Sequence, residues 1–333
     1  MSRIEFDIQG GPASVPGFKV GHANMADTPC GCTVVLCPPD TVGGVEVGGF
    51  AAGTRQLDGL GPLHMVQQVH AVLLTGGSSY GLGCADGVQA FLEEKGIGLE
   101  IGPVQVPIVP TAVIFDLVLT QGKGRPGPEL GMAACRAASK DPMSRGNAGA
   151  GAGATVGKVM GLPQASKGGL GGASARAGEL GMGVAAVVNA FGDIVDPQGR
   201  IIGGARRSPD SREFLGSSAW FMAGNRRTQF AGPHNTTLAV VATNARLDKV
   251  QACQVAAMAQ QGMIRAINPV HTTFDGDLVI VLASGEVEAD LNGLGVLAAR
   301  LTRQAIYDAV LSAQSLPGLP AARDLIPLPQ ICT

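Results

Sequence analysis

The chain has 333 residues, with 24 basic and 26 acidic side chains, a net charge of −2, and 15% charged residues against about 25% in an average domain. The near-neutral balance argues against a nucleic-acid or anionic-membrane surface. No apolar run approaches the roughly 20 residues of a membrane span, and MSRIEFDIQGG lacks the apolar stretch of a secretory signal, so a cytoplasmic protein is expected.

In chain order, residues 33–37, 71–75, 183–189, 237–243 and 278–283 read as strands. They are short, almost continuously apolar and bounded by Gly, Pro or Asp, as strands buried on both faces should be. Residues 86–95 read as a helix with Val88, Phe91 and Leu92 on one face and Gly96 as its stop. Residues 246–266 and 291–313 are longer and Ala-rich, the second striped by Leu294, Leu297, Leu301 and Val310. Strands and helices mix throughout, which indicates a layered α/β class. Two stretches break the pattern. Residues 146–173 are dominated by Gly and Ala, yet Val156, Val159, Met160 and Leu162 argue against a solvated tether and for close backbone packing around a site. Residues 202–235 are polar and carry Arg206, Arg207, Arg212, Arg226 and Arg227, and read as a long surface segment. With 50 glycines and 45% hydrophobic residues, much of the remainder is expected to be buried in a core or in subunit interfaces.

Seven cysteines (Cys30, Cys32, Cys37, Cys84, Cys135, Cys253, Cys332) form an odd, scattered set that reads as reduced thiols. His22, Cys30 and Cys32 match no zinc spacing, and no metal site is expected.

Three motifs compete for the chemistry. Gly77 to Gly81 fits G-x-S-x-G between a strand and a helix, with Ser79 as nucleophile and Asp193 or Asp196 then His271 in the order of a serine hydrolase. In so glycine-rich a chain the pattern arises easily by chance, and the alternative is a Gly-rich turn lining a pocket. Gly149, Gly151 and Ala154 make a loose dinucleotide fingerprint with no strand before it. Gly157-Lys158 lacks the first Gly and the Ser/Thr of a phosphate loop, so both nucleotide readings are rejected. The third motif, HNTTLAVVATN at 234–244, places a hydroxyl residue at the start of an apolar strand, after a segment that can be cut. Breaking the Asn235–Thr236 bond would give Thr236 an α-amine with a reference pKa of about 7.7–8.0. That amine can serve as the general base for the residue's own Oγ. On these residues alone, a Thr-Thr pair opening a strand reads first as plain structure.

Here the chain resembles the L-aminopeptidase D-amidase/D-esterase (DmpA) family of self-processing N-terminal-nucleophile hydrolases. That family includes β-peptidyl aminopeptidases and the endo-type 6-aminohexanoate (nylon) oligomer hydrolase. The resemblance rests on VPGFKVGHA (15–23), GCTVVL (31–36), AGTRQLD (52–58), HAVLLTGGSSYGL (70–82), ADGV (85–88), VPIVPTAVIFDL (106–117), GNAGAGAGATVGKV (146–159) and HNTTLAVVATNARL (234–247). It implies an αββα four-layer sandwich of the DmpA/ornithine-acetyltransferase type. One hydrolase domain, 1–333, would be self-cleaved into 1–235 and 236–333 and assembled as a homotetramer, with no metal or organic cofactor.

The nylon-oligomer branch supplies the residue roles. Asn235–Thr236 resembles its processing junction, which makes Thr236 the nucleophile. Lys158 resembles its active-site lysine, Asn189 the asparagine beside the reacting oxygen, and Asp275 and Asp277 its paired aspartates. By this resemblance Lys158 and Asn189 stabilise developing negative charge, while Asp277 holds the Thr236 amine with Asp275 behind it. Ser78, Ser79, Tyr80 and Phe115 are the expected pocket residues. Phe115 departs from the branch, which has a tyrosine there, and Tyr80 is the substitute nearest in the motif. The expected substrate is a small peptide or amide, or an ω-amino-acid oligomer. The remaining alternatives are a serine hydrolase using Ser79 and an unprocessed, non-catalytic member.

Overall fold

The computed structural model describes residues 4–226 and 235–325. In chain order its main elements begin with β1 (Glu5–Asp7), β2 (Lys19–Asn24), β3 (Gly31–Leu36), β4 (Val42–Val47), β5 (Thr54–Arg55), β6 (Ala71–Thr75), α1 (Cys84–Glu93), β7 (Thr111–Val113) and α2 (Pro128–Arg136). They continue with β8 (Gly169–Ala177), β9 (Leu180–Asn189), β10 (Thr236–Ala245), α3 (Lys249–Ala266), β11 (Leu278–Val287) and α4 (Leu291–Ser312). One sheet has the order β1-β8-β9-β10-β11-β4, antiparallel except for the β10–β11 pair. The other has the order β2-β3-β6-β7-β5, antiparallel except for β6–β7.

Alternation along the strands divides their side chains between separate cores. Val184, Ala186 and Val188 of β9 join Val241 and Val281 beneath Val255 and Ala259 of α3 and Leu301 and Ala305 of α4. Ala185, Val187, Val240 and Ile280 point the other way and meet Val35, Val72, Leu74 and Ile114 of the second sheet. On that sheet's outer face, Val34, Ala71 and Leu73 pack under α1 and α2 through Val88, Leu92, Ala134 and Cys135. The result is the four-layer αββα sandwich. Both central strands are covered on both faces, which is why they read as unbroken apolar runs. Each fully buried Val, Leu or Ile on them contributes about 1.5–3 kcal/mol.

Helix starts follow their caps rather than the apolar pattern. Asp248 accepts the Gln251 N–H at 2.8 Å while the Gln251 side chain accepts the Asp248 N–H at 3.0 Å, so α3 opens at Lys249 and not at 246. Asp290 accepts the Gly293 N–H at 2.8 Å and opens α4. Glycine accounts for a strand the sequence hides. β8 reads GLGGASARA because α4 lies directly on it: a Cβ at Gly171 would stand 2.2 Å from both the Ala305 oxygen and the Ala309 nitrogen.

The 146–173 tract is mostly buried, as its apolar residues indicate. The expectation of a continuous surface segment over 202–235 needs correction. It contains part of the strand Ile201–Gly203 and the helix Ser217–Met222. Arg206 is buried, its guanidinium satisfied by the carbonyls of Pro163, Ala165 and Pro209. Arg207, Arg212 and Arg226 are exposed, while Arg227 to His234 fall outside the described residues. The six described cysteines are free thiols, four of them buried, and Cys332 lies outside the described residues. Among the described residues no helix is long and apolar enough to cross a membrane.

Candidate active site

Thr236 opens β10 at the middle of the six-stranded sheet, buried to 3% exposure, and pairs in register with Asn189 at the end of β9. The residue before it is held as an extra strand position. Asn235 forms a parallel bridge with Asp275. Its N–H donates to the Phe274 carbonyl at 3.1 Å, and its own carbonyl accepts the Gly276 N–H at 2.7 Å. The Thr236 hydroxyl donates to that same Asn235 carbonyl at 2.5 Å. A carbonyl taking two donors, one of them the neighbouring hydroxyl, is polarised where an attacking Oγ would need it.

The Gly/Ala tract brings Lys158 to this point. Gly157 has φ +69° and sits where a Cβ would approach the Ala205 nitrogen to 1.9 Å, so only glycine admits the turn. Lys158 is fully buried. Its ammonium donates to the Asn189 backbone carbonyl and to Asn189 Oδ1, both at 2.8 Å. Asn189 Oδ1 also accepts the Thr155 N–H at 3.0 Å and the Thr155 hydroxyl at 3.3 Å. Three donors on the oxygen fix the amide's orientation and turn Nδ2 toward the Phe115 carbonyl, 3.4 Å away. Thr155 is therefore a positioning residue that sequence reasoning missed, although it stands three residues before Lys158 in the same GATVGKV run. A second buried lysine secures the tract. Lys167 donates to the carbonyls of Gly151, Ala154 and Gly168 at 2.8–3.0 Å. Burial pulls its ammonium down to about 7, partly opposed by the charge of Asp116.

The two aspartates support the junction from the other side. Asp277 Oδ1 accepts the Thr237 N–H at 2.6 Å. Its Oδ2 accepts the backbone N–H of His271 at 3.2 Å and faces His271 Nδ1 at 3.0 Å. The sequence expectation placed this carboxylate on the Thr236 nitrogen; with the Asn235–Thr236 bond intact it sits one residue further along. Asp275 Oδ1 accepts the Phe191 N–H at 3.1 Å, and its Oδ2 takes the Thr272 N–H at 3.1 Å and hydroxyl at 2.6 Å. The Phe191 carbonyl in turn accepts the Lys158 N–H at 2.9 Å. Asp275 thus reaches the lysine turn through one residue, Phe191. Thr272 and His271 went unread as partners because their bonds are made by a loop that doubles back on Asp-Gly-Asp.

Burial, and then the charge of Asp277, raise the Asp275 carboxyl from 3.8 to about 7. The folded protein then holds this proton more tightly than the unfolded chain does. The stabilisation is complete below about pH 3.8 and is lost as the pH rises through about 7. Asp275→Asn is expected to flatten that part of the stability curve, measured by urea unfolding between pH 4 and 8. An unchanged curve would mean that the carboxyl does not titrate in this window.

Of the expected pocket residues, Ser78 has φ +53° and donates its N–H to the Ile114 carbonyl at 3.0 Å, which places its turn beside Phe115. Asp116 clasps the two, accepting the Gly77 N–H at 2.8 Å. Phe115 touches Asn189 through its carbonyl, whereas the Tyr80 ring lies under the Arg125 guanidinium at 4.1 Å. Tyr80 makes no hydrogen bond to Thr236, Lys158 or Asn189 among the described residues, so it does not replace the missing phenol. Ser79 is exposed on the short helix Ser78–Gly83. Its would-be partners are engaged elsewhere: Asp193 with Ala205 and Ser217, Asp196 with Arg200, and His271 with Asp277.

Residues 13–323 match the family model described as peptidase family S58. The chain is 38% identical over 344 residues to an uncharacterised aminopeptidase of Mycobacterium tuberculosis (strain ATCC 25618 / H37Rv), covering 94% of this chain and 97% of the relative. It is 31% identical over 320 residues to a 6-aminohexanoate-oligomer endohydrolase of Kocuria sp. (strain KY2), covering 90% and 84%. Among solved structures it superposes on the L-aminopeptidase D-Ala-esterase/amidase from Ochrobactrum anthropi, described as a variant of the Ntn hydrolase fold. The TM-score is 0.67 at 16% identity, over 94% of this chain and 91% of that one.

Proposed function

The chain belongs to peptidase family S58 and is an amide-bond hydrolase, and from that premise we propose that it cuts itself between Asn235 and Thr236 and then uses Thr236 as an N-terminal nucleophile. The observation that carries this reading is the Asn235 carbonyl, held by the Gly276 N–H at 2.7 Å with the Thr236 hydroxyl already at 2.5 Å.

In maturation Oγ attacks the Asn235 carbonyl carbon, the C–N bond breaks, and the Thr236 nitrogen takes up a proton. Asn235 is left as an ester on Oγ. Water hydrolyses that ester and releases residues 1–235 from 236–333. In turnover the freed amine accepts the Oγ proton as Oγ attacks a substrate amide, and the leaving amine is protonated in its place. Water then cleaves the acyl-enzyme. Lys158 and the Asn189 amide supply positive potential beside the reacting oxygen, in a buried site where such charge acts strongly. Asp277 steadies the strand start through Thr237, and Asp275 steadies the Lys158 turn through Phe191. The 38% identity to an aminopeptidase supports small peptides or aminoacyl amides as substrates, and the 31% identity to an oligomer endohydrolase supports ω-amino-acid amides.

The test is to trap the covalent intermediate. Protein turning over an alanyl p-nitroanilide is acid-quenched and weighed. The fragment beginning at Thr236 is expected to carry one alanyl group, on Thr236 itself. An acyl group on Ser79, or none under burst conditions, would overturn the assignment.

A further inference from the structure

We propose that the 274–276 segment is the acyl-binding subsite, and that it selects α-aminoacyl groups by holding their nitrogen and carbonyl as it holds those of Asn235. This rests on the proposed function above and narrows its substrate class. The step from maturation to turnover is chemical identity. The ester formed when Oγ takes over the Asn235 carbonyl is an acyl-enzyme whose acyl residue is Asn235. Whatever holds Asn235 in the uncut chain is therefore already shaped for an acyl residue.

Two bonds define that hold. The Asn235 N–H donates to the Phe274 carbonyl at 3.1 Å, and the Asn235 carbonyl accepts the Gly276 N–H at 2.7 Å. They come from one residue paired in parallel register with Asp275, as in the addition of a strand to a sheet edge. The two bonding groups are separated by a single Cα. An α-aminoacyl group reproduces that separation, its amine donating to Phe274 and its carbonyl reaching Gly276. A β-aminoacyl group inserts one more carbon, about 1.5 Å of chain, and so loses one of the two bonds or strains both. A 6-aminohexanoyl group carries its amine far beyond Phe274. A simple acyl group has no nitrogen to donate.

The support behind the segment is equally specific. A Cβ at Gly276 would stand 2.7 Å from the Ala51 carbonyl oxygen and 2.8 Å from the Ala52 Cα, so the glycine lets the segment lie close against residues 51–52. The Ala51 N–H donates to the Asp275 carbonyl at 2.8 Å. This backing fixes the direction of the Gly276 N–H. The Asn235 side chain is fully buried, with Oδ1 unpartnered and Nδ2 3.4 Å from the Phe274 carbonyl. The space it fills is the expected position of the substrate's first side chain.

The experiment uses processed protein whose Thr236 terminus is confirmed by intact mass. It compares p-nitroanilides of L-alanine, β-alanine, 6-aminohexanoic acid and propionic acid. Alanyl anilide is expected to exceed each of the others in kcat/KM by about tenfold or more, the loss that accompanies one missing hydrogen bond. A second readout uses position 235 itself. Self-cleavage rates of Asn235→Ala, Asn235→Val and Asn235→Leu should follow the same order as kcat/KM for alanyl, valyl and leucyl anilides, because both reactions place the same side chain in the same subsite on the way to an ester of Thr236 Oγ. β-Alanyl or propionyl turnover equal to alanyl, or unrelated orders in the two series, overturns the subsite while leaving Thr236 as nucleophile. No turnover of any anilide by protein with a free Thr236 overturns the subsite and the proposed function together.

Discussion

Thr236→Ala is expected to leave the chain uncut and without amidase activity. The wild type would separate into residues 1–235 and 236–333, and intact mass distinguishes the two outcomes directly. The expected loss is on the order of 10⁶ in kcat, as for removal of other side-chain nucleophiles, since alanine supplies neither the attacking oxygen nor a cleaved terminus. Unfolding does not explain that loss. Thr236 lies at the end of a ten-residue strand whose following positions are all buried, and trading its side chain for a methyl group costs about 1 kcal/mol of strand preference. Thr236→Ser keeps the hydroxyl and is expected to keep both cleavage and turnover, because the bond to the Asn235 carbonyl at 2.5 Å needs only an oxygen on Cβ. Cleavage between 235 and 236 in the alanine variant would assign the cut to another protease and remove the main support for self-processing.

The central strands were legible because strands covered on both faces leave a plain mark, whereas the four-layer arrangement came from the resemblance. Residues 71–75 of the reading are Ala71–Thr75 in the structure, and 278–283 lies within Leu278–Val287. What stayed hidden was written in glycine. β8 and the turn at Gly157 need the absence of a side chain, and an absent side chain shows in sequence only as low complexity. The residues proposed to react were named from resemblance; Thr236, Lys158, Asn189, Asp275 and Asp277 lie around one junction in the structure. Their partners were not legible. Thr155, Thr272 and the Gly276 amide act through backbone geometry that no spacing rule encodes, and Asp277 meets Thr237 because strand register decides which N–H faces it. Phe115 is the informative departure. Its ring replaces a phenol, but its carbonyl, which every residue has, is what touches Asn189.

Lys158→Met and Asn189→Ala are each expected to lower kcat by about 10²–10³, the usual cost of losing one stabilising donor in a preorganised site. The fall should appear in kcat more than in KM, because neither group is placed to recognise the acyl residue. Their combination is the stronger test. The Lys158 ammonium donates to two oxygens of the same residue, at 2.8 Å each. Removing it takes away one of the three donors that orient the Asn189 amide oxygen; removing the amide takes away one of the ammonium's two Asn189 acceptors. Each substitution therefore disables much of what the other would. The double variant is expected near 10³, well short of the roughly 10⁵ that independent effects would multiply to. Methionine fills the volume of the buried lysine stem without its charge, so a thermal melt close to wild type is expected for Lys158→Met and separates lost chemistry from lost fold. Fully multiplicative losses would mean that lysine and asparagine act independently of each other. Wild-type turnover in a folded double variant would remove both from the reaction.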